Sequence, residues 1–304
     1  VLVYRNTKSR IRYSRGQIDT SSGTIHSSFS IESSLDYIQE VFDDYKRYGN
    51  IKKFYGEVAE IGPGDSCGVG IKFLQDGCQS VDLADKYYSH REDGREKNII
   101  ASLCRNGDSI FVNPDLKEKH SEENIKGLKR FYGQEAASEN FFRSGKKYSF
   151  IVSRAVLEHV DDPIESLKEM VEALAPDGRL LHKVDLSDHN LFSPENSELT
   201  FLRFPNWYYR LMCLGSGRPN RFMANQYEKV MNESGLQYSI LVTSLVGVGE
   251  ISPHAEWNDI DQDKKEQSLR IVREQMAGLS SEFNSLDEKY IAISGIFIVA
   301  RKEK

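Results

Sequence analysis

"GEVAEIGPGDSCGVG", Gly56 to Gly70, is the stretch that decides the fold. "EVAEI" (Glu57–Ile61) reads as a buried strand. It runs into a turn with Gly62 and Gly64 two residues apart, and the apolar segment beyond, closing at Gly77, reads as a helix. Glycines at a strand-to-helix turn let backbone approach a ligand closely, and the first turn of the helix offers unpaired N–H groups. The question this turn raises is what it holds.

Working outward, the pattern repeats. "CQSVDLAD" (Cys78–Asp85) reads as strand two, "GLKRFYGQEAAS" (Gly127–Ser138) as strand three and a loop, Tyr148–Val152 as strand four and "RLLHKVDL" (Arg179–Leu186) as strand five. An amphipathic helix with Pro163 near its start and "PDG" at its stop separates the last two. Such alternation implies βαβ units, hence an α/β fold with a mostly parallel sheet and helices on both faces. "LQYSILVTSLVGV" and "KYIAISGIFIVARK" add two closing strands, expected to be antiparallel, for seven in all, with a helical stretch between them. Upstream, Ile31–Gly49 has helical apolar spacing and a glycine stop. The expected organisation is an N-terminal arm and cap helix over 1–50, then one domain over 51–304 with insertions at 86–126 and 190–222.

Composition narrows the function classes. The 304 residues carry a formal charge of −6, so the chain is a poor general polyanion binder and no nucleic-acid partner is expected. The four cysteines form no CxxC pair, which argues against a zinc motif or a disulfide framework and for a cytoplasmic location. No apolar run approaches the ~20 residues that span a bilayer. "VLVYRNTKSRIRYSRG" is basic but lacks a following apolar region, so it reads as no secretory signal.

In open α/β sheets, ligands sit beyond the carboxyl ends of the strands. The residues there form an ordered set: the Gly62–Gly64 turn, Asp82 about 20 residues on, the "GQEAAS" loop, and "SRAVLEHV". That order suits a nucleoside laid across strand ends, with an acid on the ribose hydroxyls. The details argue against NAD. In "GPGDSCG" the third glycine of the G-x-G-x-x-G fingerprint is displaced by one, and Asp65 is an acid where a pyrophosphate would lie. A cofactor without phosphates fits better.

On these residues the chain resembles a class I S-adenosylmethionine-dependent methyltransferase, most closely bacterial members with long, uncharacterised insertions. "VAEIGPGDS", "VDLAD" and "YSFIVSRAVLEHVDDPIESLKEMVEALAPDGRLLHKVD" carry the resemblance, which covers Glu57–Leu186 and extends to the closing strands. It implies a Rossmann-like fold and S-adenosyl-L-methionine as cofactor. It further implies that Glu60, Ile61, Gly62 and Gly64 hold the methionine part and that Asp82 binds the ribose. Leu83 would pack on adenine, Glu135 and Ala136 would lie at the adenine edge, and Ser153 would offer backbone near the amino group. Ser66 stands where the family's first motif has its third glycine. Ala155 stands where metal-binding relatives carry an extra acid, so no metal is expected.

Methyl transfer to an alcohol needs a base that removes the acceptor's proton. The candidates follow strands four and five: His159, His182, Asp185, Asp188 and His189. Asp185, Asp188 and His189 fall at or beyond the strand end, whereas His182 reads as structural; Asp188 and His189 could equally be turn caps. The second insertion, Phe201–Phe222, interleaves Arg203, Arg210, Arg218 and Arg221 with Phe204, Trp207, Tyr208 and Tyr209, without an acid. It reads either as a lid over an anionic, glycosidic or lipid-linked acceptor, with Arg203, Trp207, Tyr208, Arg210, Arg218 and Arg221 binding substrate, or as a packed cap or homodimer surface. The expected activity is O-methylation of a small-molecule, sugar or glycan acceptor. The rival readings are a cofactor-binding scaffold without turnover and an NAD-type oxidoreductase.

Overall fold

The structure is a computed structural model that describes residues 25–89, 93–104, 110–111, 120–189, 198–213 and 219–303. Its strands are β1 (Gly56–Ile61), β2 (Cys78–Asp85), β3 (Leu128–Tyr132), β4 (Tyr148–Arg154), β5 (Leu174–Asp185), β6 (Gln237–Leu245), β7 (Gly249–Ala255) and β8 (Ile293–Arg301). They form an eight-stranded sheet in the order β3-β2-β1-β4-β5-β8-β6-β7. β1 is parallel to β2 and β4, and β2 to β3, while β6 and β7 are antiparallel.

The expected mostly parallel sheet with antiparallel closing strands is present, with one strand more than the sequence pattern suggested. The addition is β7, "GEISPHA", an outermost strand in the sheet order. It carries Pro253 and only two buried residues, Ile251 and His254. Proline is tolerated on an edge strand because one row of N–H groups there needs no partner.

The chain divides into two compact units, and β5 contributes to both. The first takes the described residues up to Arg154, plus Lys168–Leu181 and residues 301–303. Its helix α1 (Ile31–Tyr48) begins where the Ser30 hydroxyl accepts a hydrogen bond from Ser33 N–H and stops at Gly49. Ile38, Val41, Phe42 and Tyr45 form its buried stripe. Phe42 meets Phe54 and Phe73 at ring distances of 5.5 and 5.6 Å, and Phe54 meets Phe150 of β4 at 4.8 Å. Each such ring stabilises the fold by roughly 1.5–3 kcal/mol. Helix α2 (Gly68–Asp76) follows the glycine turn. A side chain at Gly68 would meet Ile38 Cδ1 at 2.2 Å, so glycine is what lets α2 lie this close to α1. Helix α3 (Asp93–Leu103) belongs to the same unit.

The second unit takes Ala155–Leu167 and the described residues of His182–Ala300. Its core joins Phe201, Leu202, Tyr209, Met223, Val246, Val272, Phe283 and Ile291. Around that core lie α4 (Asn206–Cys213), α5 (Ala224–Glu233) and α6 (Gln262–Met276).

Candidate functional site

The glycine turn sits at the carboxyl end of β1, where Ile61 is level with Ala84 of β2 and Ser153 of β4. Gly62 and Gly64 have φ of 67° and 64°, backbone that glycine adopts without steric cost. Beside the turn is an open cleft whose lining includes His26, Tyr37, Glu60, Gly62, Ser66 and Arg154. Glu60 is buried, and its Oε2 has no hydrogen-bond partner among the described residues. Burial pushes its carboxyl up to about 7, with Arg130 opposing the shift. His26 is buried and its Nδ1 likewise lacks a partner there. Arg154 is held by Asp44 at 2.6 Å and Glu40 at 2.7 Å, both from α1.

The start of α2 is already filled. Cys67 N–H donates to Glu96 Oε1 at 3.0 Å and Gly68 N–H donates to the Ser66 hydroxyl at 3.1 Å. A carboxylate therefore stands where a phosphate would need those amides. Asp65 has a different task from the one its position in the sequence suggested. It is buried, and its carboxylate accepts from the backbone N–H groups of His26 and Ser27. It ties the N-terminal segment down so that His26 lines the cleft.

The two acids of β2, Asp82 and Asp85, have different surroundings. Asp82 is buried in mid-strand, level with Ala59. Its Oδ2 accepts from Lys146 Nζ at 2.7 Å and Tyr148 OH at 2.8 Å. Lys146 also pairs with Glu57, near the start of β1. That contact lies at the amino end of the strands, away from the glycine turn. Leu83 is fully buried, and its Cδ2 lies against Gly70 of α2, so it belongs to the core. Asp85, the last residue of β2, stands level with Tyr132 of β3. Its carboxylate accepts from Tyr87 N–H at 2.8 Å and from the Gly64 backbone. Burial raises its carboxyl to about 6, against those hydrogen bonds and Arg130. Alternation along a strand puts residues three apart on opposite faces, and only Asp85 reaches the turn. Glu135 and Ala136 lie just beyond the end of β3, Glu135 exposed and Ala136 buried, and Ser153 is buried at the end of β4.

In the second unit, three of the proposed base residues come together. His189 Nε2 lies 3.2 Å from Asp185 Oδ2. The rings of His159 and His189 meet edge to face at 5.0 Å. Asp188 is buried next to them in sequence. Burial alone would lower the His189 imidazole, but Asp185, with Glu158 and Asp188 behind it, raises it above the ordinary histidine value. Burial would raise Asp185, but His189 and Ser187 hold it below the usual carboxylate range. His189 and Ala155 both have positive φ, 52° and 55°, uncommon for residues with side chains and frequent at functional turns. His182 is fully buried and burial drives it down to about 3, as befits a structural histidine.

Glu158 was not singled out from the sequence, yet it sits at the centre of this cluster. Its Oε1 accepts from Asp185 N–H at 3.4 Å, and its Oε2 has no partner among the described residues. Burial raises its carboxyl to about 8. Asn220 clamps the same turn, donating from Nδ2 to the Leu157 and Val160 carbonyls. Glu158, His159 and His189 each bring a ligand atom within 4.8 Å of the others, so the expectation of no metal has a definite place to be tested.

The arginines of the insertion separate. Arg221 is buried and donates to the Phe201 and Phe204 carbonyls and to Asn206 Oδ1, with Tyr209 and Phe283 against its guanidinium. It ties the core of the second unit. Arg203, Arg210, Trp207 and Tyr208 are exposed, and Arg218 lies outside the described residues.

The chain belongs to the methyltransferase-domain family, whose model matches residues 39–239, more than half its length. No curated protein matches it. Among solved structures it is similar to a putative sarcosine dimethylglycine methyltransferase from Galdieria sulphuraria (11% identity, 100% of this chain and 99% of that one, TM-score 0.46). It is also similar to a chain in the complex of the Haloferax volcanii Trm112 activator with a putative methyltransferase (13%, 92% and 98%, 0.42). A third is Haemonchus contortus phosphoethanolamine N-methyltransferase 2, solved with S-adenosyl-L-methionine (14%, 88% and 53%, 0.43).

Proposed function

We propose that this protein transfers a methyl group from S-adenosylmethionine to a hydroxyl of a small-molecule, sugar, or glycan- or lipid-linked acceptor. The carrying observation is the glycine cleft. It presents a buried carboxyl with an orphan oxygen, Glu60, while the helix amides that would hold a phosphate are taken by Glu96 and Ser66. That is a site for a cationic, phosphate-free nucleoside. Glu60 is shaped to accept from the ammonium of the methionyl end, whose positive charge offsets part of the cost of burying the carboxylate. Asp85 accepts from the ribose hydroxyls, and the Tyr88–Tyr132 pair, 5.1 Å between rings, offers apolar faces near the same strand ends.

The cofactor supplies an activated methyl on a sulfonium, which leaves as a neutral thioether. The protein's task is alignment and proton removal. His189, oriented by Asp185, accepts the acceptor's proton, and Asp185 stabilises the imidazolium that results. Glu158, held neutral by burial at neutral pH, keeps the cluster from accumulating a second buried negative charge.

The test is a labelled-methyl assay over alcohol-bearing acceptors, with S-adenosylhomocysteine release as the common readout. Label entering an acceptor, lost in His189→Ala, supports the reading. Equal label transfer by His189→Ala removes the base assignment, and no transfer to any acceptor despite cofactor binding favours the scaffold reading.

A further inference from the structure

Helix α4 is apolar on both sides. Tyr209 faces inward to the core of the second unit, with Met212 and Cys213 packed against the same cluster. Trp207, Leu211 and Tyr208 face outward, at 70%, 49% and 40% exposure. At 100° per residue these three and Arg210 occupy one continuous arc of the helix. Arg203 and Pro205 extend the exposed strip upstream. The chain is acidic overall, yet Leu199 to Tyr227 contains no aspartate or glutamate. At the start of the helix Glu282 Oε1 accepts from Asn206 N–H, and Arg203 donates to Gln275 Oε1.

We propose that this strip docks the protein on an anionic lipid bilayer, α4 lying in the interface plane with Trp207, Leu211 and Tyr208 inserted and Arg203 and Arg210 at headgroup level. The residue types are those that partition into the boundary between headgroups and acyl chains, with arginine supplying attraction to anionic lipid. An eight-residue helix is about 12 Å long, so it can lie on a membrane but not cross one. No helix among the described residues is long and apolar enough to span a bilayer. Two other occupants fit less well. A second copy of this chain would bring the same arginines face to face across a two-fold axis with no acid in the segment to pair them. A small soluble acceptor needs a concave site, and these side chains project from a convex helix face.

The experiment uses the full chain with vesicles of phosphatidylcholine, with and without phosphatidylglycerol, in a sedimentation assay at low and high salt. Trp257→Phe leaves Trp207 as the lone tryptophan of the two, so its emission reports insertion. Binding to the anionic vesicles with a blue shift of Trp207 is expected. The double variant Trp207→Ser, Leu211→Ser should bind at least about tenfold more weakly. Arg203→Gln and Arg210→Gln should each cost about fivefold, on anionic vesicles only. All four side chains are exposed, so thermal melts should match the parent; if the double variant melts early, Leu211→Ser alone is the comparison. Failure to bind anionic vesicles, equal binding to neutral ones, or indifference to these substitutions overturns the proposal. So does a dimer in sedimentation equilibrium that Trp207→Ser dissolves, which would make the strip a self-association surface.

Discussion

The glycine cleft of the first unit and the histidine cluster of the second solve opposite electrostatic problems. At the cleft, burial outweighs the charge of Arg130 and raises two acids: Glu60, with an orphan oxygen, to about 7 and the half-buried Asp85 to about 6. At the cluster, charge is shared inside the protein, with His189 raised and Asp185 lowered by each other. An acid left short of a partner is waiting for a cation from outside. A histidine already paired with an acid is set to take up a proton. The contrast matches the proposed division of labour, binding in one region and chemistry in the other, and substitutions should separate them.

The largest effect falls on the cluster. His189→Ala should lower turnover by about 10²–10⁴-fold, the usual span for a lost general base, with cofactor affinity unchanged by calorimetry; a comparable loss of cofactor affinity would merge the two regions. At the cleft, Asp85→Ala should weaken S-adenosylmethionine by at least about a hundredfold, the worth of two hydrogen bonds to a charged group, beyond any stability lost with the Tyr87 and Gly64 hydrogen bonds. Asp82→Ala should do the reverse. It should cost about 1–3 kcal/mol of stability by stranding Tyr148 OH and leave affinity nearly intact. If Asp82 instead governs affinity, the assignment along β2 is wrong.

Smaller effects sharpen the electrostatics. Glu158 is protonated in the fold up to about pH 8 but ionises near 4.5 when unfolded. The native state therefore binds the extra proton between those values, and stability falls as pH rises through that window. Glu158→Gln should flatten this fall in melts across the same range; an unchanged slope would show that the carboxyl is not held neutral. Asp185→Asn should shift the acid limb of the turnover profile to lower pH, because the imidazole loses the partner that raises it. Manganese or zinc should leave turnover unchanged, and activation reversed by a chelator would assign Glu158, His159 and His189 to a cation.

Much of this was legible in the sequence because it depends on local pattern. β1, the glycine turn, α2 and the helix before β5 each announce themselves through apolar periodicity and glycine or proline stops. What was not legible depends on register and distance. "VDLAD" holds two acids three residues apart, and only the folded hydrogen bonds show that Asp85 meets Gly64 and Tyr87 while Asp82 meets Lys146. β7 was hidden because an edge strand with few buried residues lacks an apolar signature. His26 lay in a weakly patterned segment whose place in the cleft comes from Asp65, 39 residues away. Arg221 looked like a surface cation because nothing local marks a guanidinium enclosed by two rings and carbonyls.

The central claim is that the glycine cleft holds a sulfonium nucleoside and no dinucleotide, and one calorimetric titration tests it most directly. The purified protein is titrated in turn with S-adenosylmethionine, S-adenosylhomocysteine and NAD, alongside Asp85→Ala. The account predicts saturable binding of the first two, weakened by the substitution, and none of NAD. NAD binding, or binding of the first two that ignores Asp85, would contradict it.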